Sequence, residues 1–360
     1  GRDIIWDQNY KYNLAIRLML ENIYKTYKGD RGVDDFKAFE TFLKRIWFAN
    51  GIHHHYSMDK MKPGFSQEFL SELVQQSDSD GFAPVFHTRK GAEAFLRTQL
   101  FDDTVAAKRV VLDDGKDIVT ESANNFYENV TEAEAEAYYK DYEQPDSKRP
   151  VSSGLNSKLV KKNGEIKEKV WKVGGLYGES LSKIVYWLEK AAEVSENKIQ
   201  EAALKKLIRF FETGDLKQFD DYNIDWLKDT SSTVDVINGF IEVYGDPLGR
   251  KGSFESVVSI LDENATKRAK TVSENAEWFE QHSTTHPDYK KKKIDFKEDY
   301  PDTGINLRGD KESLKTIFNN LLSNALKYTN PHGSIHINIF QEENVKIKIK
   351  NTGPGIDSKD

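Results

Sequence analysis

The sequence has no cysteine and no run of eighteen apolar residues. The first absence excludes disulfides and thiolate metal sites, and it leaves the redox compartment undetermined. The second excludes a transmembrane helix, which needs about 20 predominantly apolar residues. A net charge of −7 argues against a nucleic-acid partner. With 360 residues, the chain can form one large core or two to three domains.

A glycine-rich stretch, residues 238–256, groups side chains that suit a binding site. Glu242 and Tyr244 are two residues apart, so on an extended segment they point to the same face. Glu255 adds a second carboxylate beyond the turn. Pro247 and the glycines around it interrupt any helix and let the backbone approach a ligand. A carboxylate can bind a cationic amine, and a phenol can donate a hydrogen bond to a carbonyl oxygen. The alternative interpretation of this stretch is a solvated turn between a strand and a helix.

Apolar periodicity elsewhere predicts a mostly helical chain with a few strands. The Asn163-Gly164 dipeptide predicts a β-hairpin between two short strands. The aromatic residues Trp187, Phe210 and Phe211 are predicted to lie in the core rather than in a binding site. The predicted helices are 14–27, 34–50, 131–142, 179–194, 196–213 and one or two within 255–282.

Two groups of histidines are candidates for a metal site. His53, His54 and His55 are adjacent, but neighbours on one backbone point apart and no carboxylate stands at ligand spacing. We therefore expect them to have a packing role. His282 and His286 could face one metal from a helix, but Pro287 ends such a helix and no general base lies between them. No zinc site is predicted at either place.

Several dispersed segments together resemble the dipeptidyl peptidase III family, zinc exopeptidases that release dipeptides from peptide N-termini. The segments are GRDIIWDQNYKY (1–12), WFANGIHHHYSMD (47–59), PVSSGLNSKLV (150–160), VWKVGGLY (170–177) and FDDYNIDW (219–226), besides the 238–256 stretch. The resemblance covers roughly residues 1–290 and implies an α+β fold, mostly helical, with a small β-barrel-like or hairpin region. It also implies that Glu242 and Tyr244 hold the substrate amine and a peptide carbonyl, and that Glu255 lines the same subsite.

The family's zinc motif, H-E-x-x-G-H, is not in this sequence, which contains no His-Glu dipeptide. In that motif the histidines ligate zinc and the glutamate polarises the attacking water. We therefore expect no zinc ligands and no catalytic residue here, although zinc is the cofactor that the family implies. Residues 300–307 also resemble a later Gly-Ile-Asn-Leu segment of the family, which would make Asn306 a substrate residue. Gly309 stands where a second asparagine is expected, and chance similarity is the favoured alternative.

From about residue 294 a different pattern begins. Asn320, Asn324 and Lys327 share one face of a predicted helix. Two predicted strands follow at 334–341 and 345–349, and apolar and polar residues alternate along each of them. The chain then turns through Asn351-Thr-Gly-Pro-Gly-Ile356. Over residues 295–358 this combination resembles the asparagine box and first glycine box of sensor histidine kinase ATPase domains.

The resemblance to the ATPase domains implies a Mg-ATP site. The amide oxygen of Asn320 or Asn324 would ligate magnesium, and Lys327 would face a phosphate. Gly353 and Gly355 would let the backbone approach the nucleotide. Asn351 stands where the family usually has the aspartate that accepts the adenine amino group.

We therefore expect a peptidase-like region, residues 1–290, followed by a partial α/β-sandwich ATPase fragment, residues 291–360. The later glycine-rich lid of the ATPase domain and its phosphoacceptor helix are not present in the sequence. The expected activity is peptide binding without catalysis by this chain alone. The alternatives are a working dipeptidyl peptidase, a signalling ATP-binding protein and a chimeric gene product. Short peptides and ATP are the expected partners, and without a readable signal peptide the expected location is cytoplasmic.

Overall fold

The computed structural model describes residues 1–82, 86, 88–140, 152–284, 294–300, 311–341, 345–353 and 355, and of residues 311–313 it describes the backbone. Within it the chain divides into two compact units, Gly1–Leu261 and Asp262–Asp360. About half of the described residues are helical, and the strands form three small sheets. The fold is therefore a mixed α+β one. None of the described helices is long and apolar enough to cross a membrane.

The first unit begins with five helices around one aromatic-rich core. Their bounds are α1 Arg2–Asn9, α2 Asn13–Thr26, α3 Asp34–Ala49, α4 Gln67–Gln75 and α5 Arg89–Phe101. The helices expected over 14–27 and 34–50 are present as α2 and α3. Asn50 closes α3 in the left-handed conformation, with φ of 52°. The apolar stripes of α2 and α3 are fully buried, so burial stabilises this part of the unit.

A short helix and a small sheet follow. The elements are α6 Ile118–Glu121, β1 Tyr127–Glu128, α7 Glu132–Lys140, β2 Ser157–Lys162 and β3 Glu165–Val170. Asn163 and Gly164 both have positive φ, 54° and 82°, which is the conformation that the Asn-Gly dipeptide predicts. The sheet has the order β1-β2-β3 and stays open. No closed barrel forms among the described strands, so the barrel-like part of the expectation has no support.

Three helices and a second hairpin complete the first unit. Their bounds are α8 Gly178–Glu193, α9 Lys198–Thr213, α10 Leu216–Lys228, β4 Val234–Glu242 and β5 Ser253–Ile260. Phe210 and Phe211 are fully buried, as predicted, but Trp187 is 69% exposed. The prediction for Trp187 was wrong because the buried stripe of α8 runs through Leu181, Val185 and Leu188 instead.

The prediction of a helix that begins at Glu255 was also wrong for its first residues. Ser253–Ile260 is strand β5, because its β-branched residues pair with β4. Helices then follow in the second unit, α11 Glu263–Glu274 and α12 Ala276–His282. The stretch 238–256 is therefore a β-hairpin and not a turn between a strand and a helix.

The second unit contains one long helix and a three-stranded sheet. The elements are β6 Asp295–Asp299, α13 Lys311–Tyr328, β7 Ser334–Gln341 and β8 Val345–Asn351. Strands β7 and β8 pair antiparallel, as their alternating pattern predicts. β6 adds to β7 in parallel and was not predicted. Its sequence, DFKED, is mostly charged and shows no alternation of apolar and polar residues.

Candidate peptide-binding hairpin

A β-bulge brings the two carboxylates of the hairpin together. In the regular part of the ladder Gly239 lies opposite Glu255, and Phe240 lies opposite Phe254. The register then shifts, so that Glu242 rather than Ile241 lies opposite Ser253. Since alternate residues of a strand share a face, Glu242 and Glu255 come to lie on the same face of the hairpin.

The two carboxylates interact electrostatically. The pKa of Glu255 is raised above its ordinary value, first because the group is partly buried and second because of the negative charge on Glu242. Glu242 itself is exposed. Two like charges held on one face are unfavourable without a cation, so this arrangement suits the binding of a positively charged group.

Tyr244 lies in the turn beyond the end of β4. The amide of Asp246 donates to the carbonyl of Val243 at 3.0 Å, which closes a tight turn around Tyr244. Its side chain is 56% exposed. Because Tyr244 lies outside the strand, the expectation that it shares a strand face with Glu242 does not apply. The turn sets the direction of its phenol instead.

Asp246 organises the turn, a role that the sequence analysis did not predict. Its carboxylate accepts hydrogen bonds from the amides of Leu248 (3.1 Å), Arg250 (2.9 Å) and Lys251 (2.8 Å). It also accepts from the hydroxyl of Tyr127 at 2.9 Å. Burial and the charge on Asp246 raise the pKa of Tyr127, which keeps that hydroxyl a donor.

Lys251 anchors the end of the turn in the small core. It is completely buried, and its ammonium group contacts the hydroxyls of Tyr139 and Ser157. The carboxylate of Glu168 lies 3.7 Å away. Burial lowers the pKa of Lys251 to about 8, and the charge on Glu168 acts in the opposite direction.

Gln8 of α1 holds the second strand of the hairpin through its backbone. Its Nε2 donates to the carbonyl of Gly252 at 3.0 Å, and its Oε1 accepts from the amide of Phe254 at 2.8 Å. The Gln8 side chain is 1% exposed. These two bonds flank Ser253, the residue opposite Glu242, so the N-terminal helix supports the carboxylate face directly.

A polar cavity shares two of its lining residues with the contacts of the turn. It has a volume of about 870 Å³ and is lined in part by Asn124, Tyr127 and Lys158. Asn124 donates to the carbonyl of Gly245 at 3.1 Å, and Tyr127 bonds Asp246. Residues that shape the turn therefore also shape the cavity.

The histidine run has local partners. His53 is buried, and its Nε2 lies 2.8 Å from the carbonyl of Ala106. Burial lowers its pKa to about 4. The Nδ1 of His54 accepts from the amides of Tyr56 and Ser57 at 3.3 and 3.2 Å.

The donor set for zinc is not assembled in the described part of the chain, where no three His, Cys, Asp or Glu side chains gather to hold a metal. The ring of His282 stacks on Trp278 at 4.3 Å. His286 and Asn306 lie outside the described residues. The residues that are described therefore do not fit the zinc site that the family resemblance implies.

In the second unit, the helix α13, which carries Asn320 and Asn324 (the asparagine helix), meets the turn that carries Asn351 and Gly353. Asn320 and Asn324 are exposed on α13. Asn351 ends β8, and a Cβ at Gly353 would overlap the carbonyl oxygen of Tyr328 at the end of α13. This close approach brings the Asn351 turn against the last turn of the helix.

Lys327 and Gly355 are the other two predicted nucleotide-site residues of the second unit. The ammonium group of Lys327 lies 5.1 Å from the ring centroid of Tyr328. Gly355 has φ of 80°, a conformation that favours glycine.

Two family models match the chain. "Peptidase family M49" matches residues 120–330, which is more than half of the sequence. "Histidine kinase-, DNA gyrase B-, and HSP90-like ATPase" matches residues 309–360. The two matches overlap over residues 309–330.

Individual relatives agree with both matches. Dipeptidyl peptidase 3 of Dictyostelium discoideum is 34% identical over 107 residues, 30% of this chain and 16% of that protein. The rat (Rattus norvegicus) dipeptidyl peptidase 3 is 30% identical over 145 residues, 40% of this chain and 19% of that protein. Adaptive-response sensory kinase SasA of Synechococcus is 35% identical over 72 residues, 19% of each chain.

Among solved structures, DPP III from Caldithrix abyssi is similar with a TM-score of 0.45 at 19% identity, over 82% of this chain and 44% of that one. The matched stretches span less than a fifth of the length of the Dictyostelium and rat relatives. The match over residues 120–330 includes the whole Glu242–Glu255 hairpin. The chain belongs to peptidase family M49.

Proposed function

We propose that the β4–β5 hairpin binds the free N-terminus of a short peptide. Glu242 and Glu255 receive the ammonium group, and Tyr244 donates a hydrogen bond to a peptide carbonyl. The observation that carries this proposal is the bulge that brings the two carboxylates to one face. It agrees with membership of a family whose curated relatives are named dipeptidyl peptidase 3.

The charge balance of the hairpin supports a cationic ligand. Burial and the nearby Glu242 both disfavour the ionised form of Glu255 in the free protein. An ammonium group placed between the carboxylates would remove this repulsion and form charge-assisted hydrogen bonds. In this proposal the rest of the peptide enters the polar cavity of about 870 Å³, whose lining residues Asn124 and Tyr127 also bond the turn.

We further propose that this chain binds peptides without cleaving them. Zinc would supply a Lewis acid and an activated water in the family reaction. The described residues do not assemble ligands for it, so no catalytic step is assigned to Glu242, Tyr244 or Glu255. Their role is to bind and orient the substrate.

Calorimetry with tetra-alanine tests the proposed function. The free-amino peptide should bind, and its N-acetylated form should bind at least about tenfold more weakly, a difference of about 1.4 kcal/mol. Glu242→Gln should weaken binding of the free peptide to a similar extent. Glu165→Gln, an exposed glutamate of the β2–β3 hairpin, is the matched control and should have no effect. Equal affinity for the two peptides would refute the proposal.

A second candidate function is nucleotide binding by the second unit. The specific observation is the close approach of Gly353 to the end of α13, which gathers Asn351 and the asparagine helix. The exposed amide oxygens of Asn320 and Asn324 have the hard-oxygen chemistry that magnesium prefers. In this proposal Lys327 faces a phosphate, and Gly353 and Gly355 give the nucleotide access to the backbone.

Fluorescent ATP-analogue binding with and without magnesium tests this second candidate. Binding should require magnesium and should be lost in Asn324→Ala. Asn319→Ala changes an exposed asparagine on another face of α13 and should bind normally. If the wild-type chain shows no magnesium-dependent binding, the second candidate is wrong.

A further inference from the structure

A second pocket of the first unit lies between α3 and the loop that carries the histidine run. It has a volume of about 570 Å³, and small-molecule sites have volumes of about 300–1,000 Å³. Its described lining residues come from residues 41–49 and 54–62, and none of them belongs to the β4–β5 hairpin. We therefore examined which chemical groups this pocket, the α3 pocket, presents to a ligand.

Three uncovered aromatic rings line the α3 pocket. Phe48 and Tyr56 are 80% and 83% exposed. The ring of His55 contacts both, with centroid distances of 6.4 Å to Phe48 and 4.8 Å to Tyr56. Large exposed apolar groups that lie together mark a surface that a ligand can cover. The pocket thus offers ring faces and edges to an aromatic group.

Arg45 places a cation beside these rings. It is three residues before Phe48 on α3, so both side chains lie on the same face of the helix, and both line the pocket. Among the described residues, no carboxylate forms an ion pair with Arg45, although its helix neighbours Lys37 and Lys44 both have one. A guanidinium can hold a carboxylate through two parallel N–H donors.

Two of the lining lysines already have carboxylate partners. Lys44 pairs with Glu40 at 3.3 Å, and Lys62 pairs with Asp103 at 2.7 Å. Both lysine charges are therefore balanced before a ligand binds.

Lys60 and Asp59 are the remaining charged residues of the described lining, apart from Arg45. The ammonium group of Lys60 donates to two backbone carbonyls beyond α5, and Asp59 is exposed. Their opposite charges offset each other in the charge balance of the pocket. Arg45 is left as one positive charge in excess, so the pocket suits a monoanion such as a carboxylate better than a dianionic phosphate.

His54 adds a directed hydrogen-bond donor. Its Nδ1 accepts from the amides of Tyr56 and Ser57 at 3.3 and 3.2 Å. A neutral imidazole whose Nδ1 is an acceptor carries its proton on Nε2. Within the described part of the chain this Nε2 has no acceptor, so its N–H is available to a ligand oxygen.

The loop that carries His54 is held by backbone hydrogen bonds. The amide of His54 donates to the carbonyl of Asp59 at 2.8 Å, and the amide of Arg109 donates to the carbonyl of Met58 at 2.8 Å. A loop that is already ordered reduces the entropy cost of binding.

We propose that the α3 pocket binds a small aromatic carboxylate. Arg45 and the Nε2–H of His54 receive the carboxylate, and the rings of Phe48 and Tyr56 pack against the aromatic ring of the ligand. A free aromatic acid and the C-terminal aromatic residue of a peptide both present these two groups. The inference does not depend on the function proposed for the hairpin.

Calorimetry with N-acetylphenylalanine and the full chain tests the proposal. The acid should bind, and N-acetylphenylalaninamide, which has no carboxylate, should bind at least about tenfold more weakly. Arg45→Gln should weaken binding of the acid about tenfold, and Phe48→Ser about fivefold. Arg209→Gln changes an exposed arginine of α9, is the matched control and should bind normally. No binding of the acid by the wild-type chain, or equal affinity for acid and amide, would overturn the proposal.

Glu242→Gln separates this site from the hairpin. The acetylated probe has no ammonium group, so its affinity should be the same in Glu242→Gln as in the wild type. A loss in Glu242→Gln as large as that in Arg45→Gln would assign the probe to the hairpin and overturn the inference. If tetra-alanine does not bind, the proposed function of the hairpin fails, and the result with N-acetylphenylalanine still decides the role of the α3 pocket.

N-acetyl-Ala-Ala-Phe distinguishes the two sources of the ligand. An affinity equal to that of N-acetylphenylalanine or higher would identify the C-terminus of a peptide as the ligand. An affinity at least about tenfold lower would identify a free aromatic acid. Arg45→Gln should weaken the tighter of the two ligands about tenfold in either case, and its failure to do so would contradict the assignment of the carboxylate.

Discussion

At the scale of single residues, the proposed function of the hairpin opposes its stability. Glu255 is partly buried beside the like charge of Glu242, which is unfavourable for the folded chain in the absence of a cation. A residue selected only for stability would be neutral at this position. The raised pKa of Glu255 therefore leads to a measurable trade-off.

Glu255→Gln should stabilise the free protein and weaken peptide binding. The folded-state pKa of Glu255 is raised, so its contribution to stability is present at low pH and is lost as the pH rises through that pKa. The free energy of unfolding should therefore increase at pH 7, on the order of 0.5 kcal/mol. At pH 3.5 the variant and the wild type should be equally stable. Urea unfolding at both pH values measures this, and an equal gain at pH 3.5 would contradict the electrostatic cause.

His53 should make the protein sensitive to acid. Burial lowers its pKa from 6.5 to about 4, so the folded chain keeps this ring neutral while the unfolded chain protonates it. Stability from this group is complete above pH 6.5 and is lost as the pH falls toward 4, by about 3 kcal/mol in all. Urea unfolding at pH 7 and pH 4.5 should show a smaller loss in His53→Gln than in wild type. The exposed His55→Gln should lose as much as the wild type, and if His53→Gln does so too, the explanation fails.

At the scale of elements, α1 is hydrogen-bonded to the β4–β5 hairpin although more than 240 residues separate the bonded residues. The amide of Gln8 acts on β5 as a neighbouring strand would, with one donor and one acceptor. Removing it leaves the buried carbonyl of Gly252 and the amide of Phe254 without these partners. Leaving buried polar groups unsatisfied costs about 1–3 kcal/mol per group.

Gln8→Leu should therefore loosen the hairpin. Hydrogen exchange at Phe254 should accelerate, and tetra-alanine affinity should fall because the carboxylate face is no longer held in register. Gln99→Leu is a suitable control, since Gln99 is also buried and accepts a bond from Tyr10 rather than from the hairpin. It should lower stability without changing exchange at Phe254. The same exchange rate in Gln8→Leu as in wild type would show that α1 does not support the hairpin.

Local signals predicted some elements of the fold and missed others. The Asn163-Gly164 turn and the capping box at Thr131, whose side chain accepts from Glu134 at 3.3 Å, are encoded by adjacent residues. The strand β5 and the exposure of Trp187 were missed although local signals exist, because β5 is rich in β-branched residues and Leu181, Val185 and Leu188 form the buried stripe of α8. The arrangement of the candidate site, in contrast, has no local signal. Glu242 and Glu255 were predicted from residue type, whereas the bulge and the contacts of Gln8 arise only from the pairing of strands and from tertiary contacts.

At the scale of the whole molecule, each unit should respond to its own ligand. A ligand stabilises the unit that binds it by about 2.7 kcal/mol at a hundredfold excess over Kd. Tetra-alanine should thus slow hydrogen exchange within residues 1–261, and Mg-ATP within residues 262–360. Tetra-alanine protection confined to the second unit would contradict the assignment of the peptide site to the hairpin.

Our central proposal is that this chain binds peptide N-termini through Glu242 and Glu255 without cleaving the peptide. The most direct test is incubation with a dipeptidyl arylamide, with and without added zinc, measuring binding and arylamine release in the same sample. We predict saturable binding that Glu242→Ala weakens, and no arylamine release under either condition. Zinc-dependent release that Glu242→Ala abolishes would show a working peptidase and contradict the account.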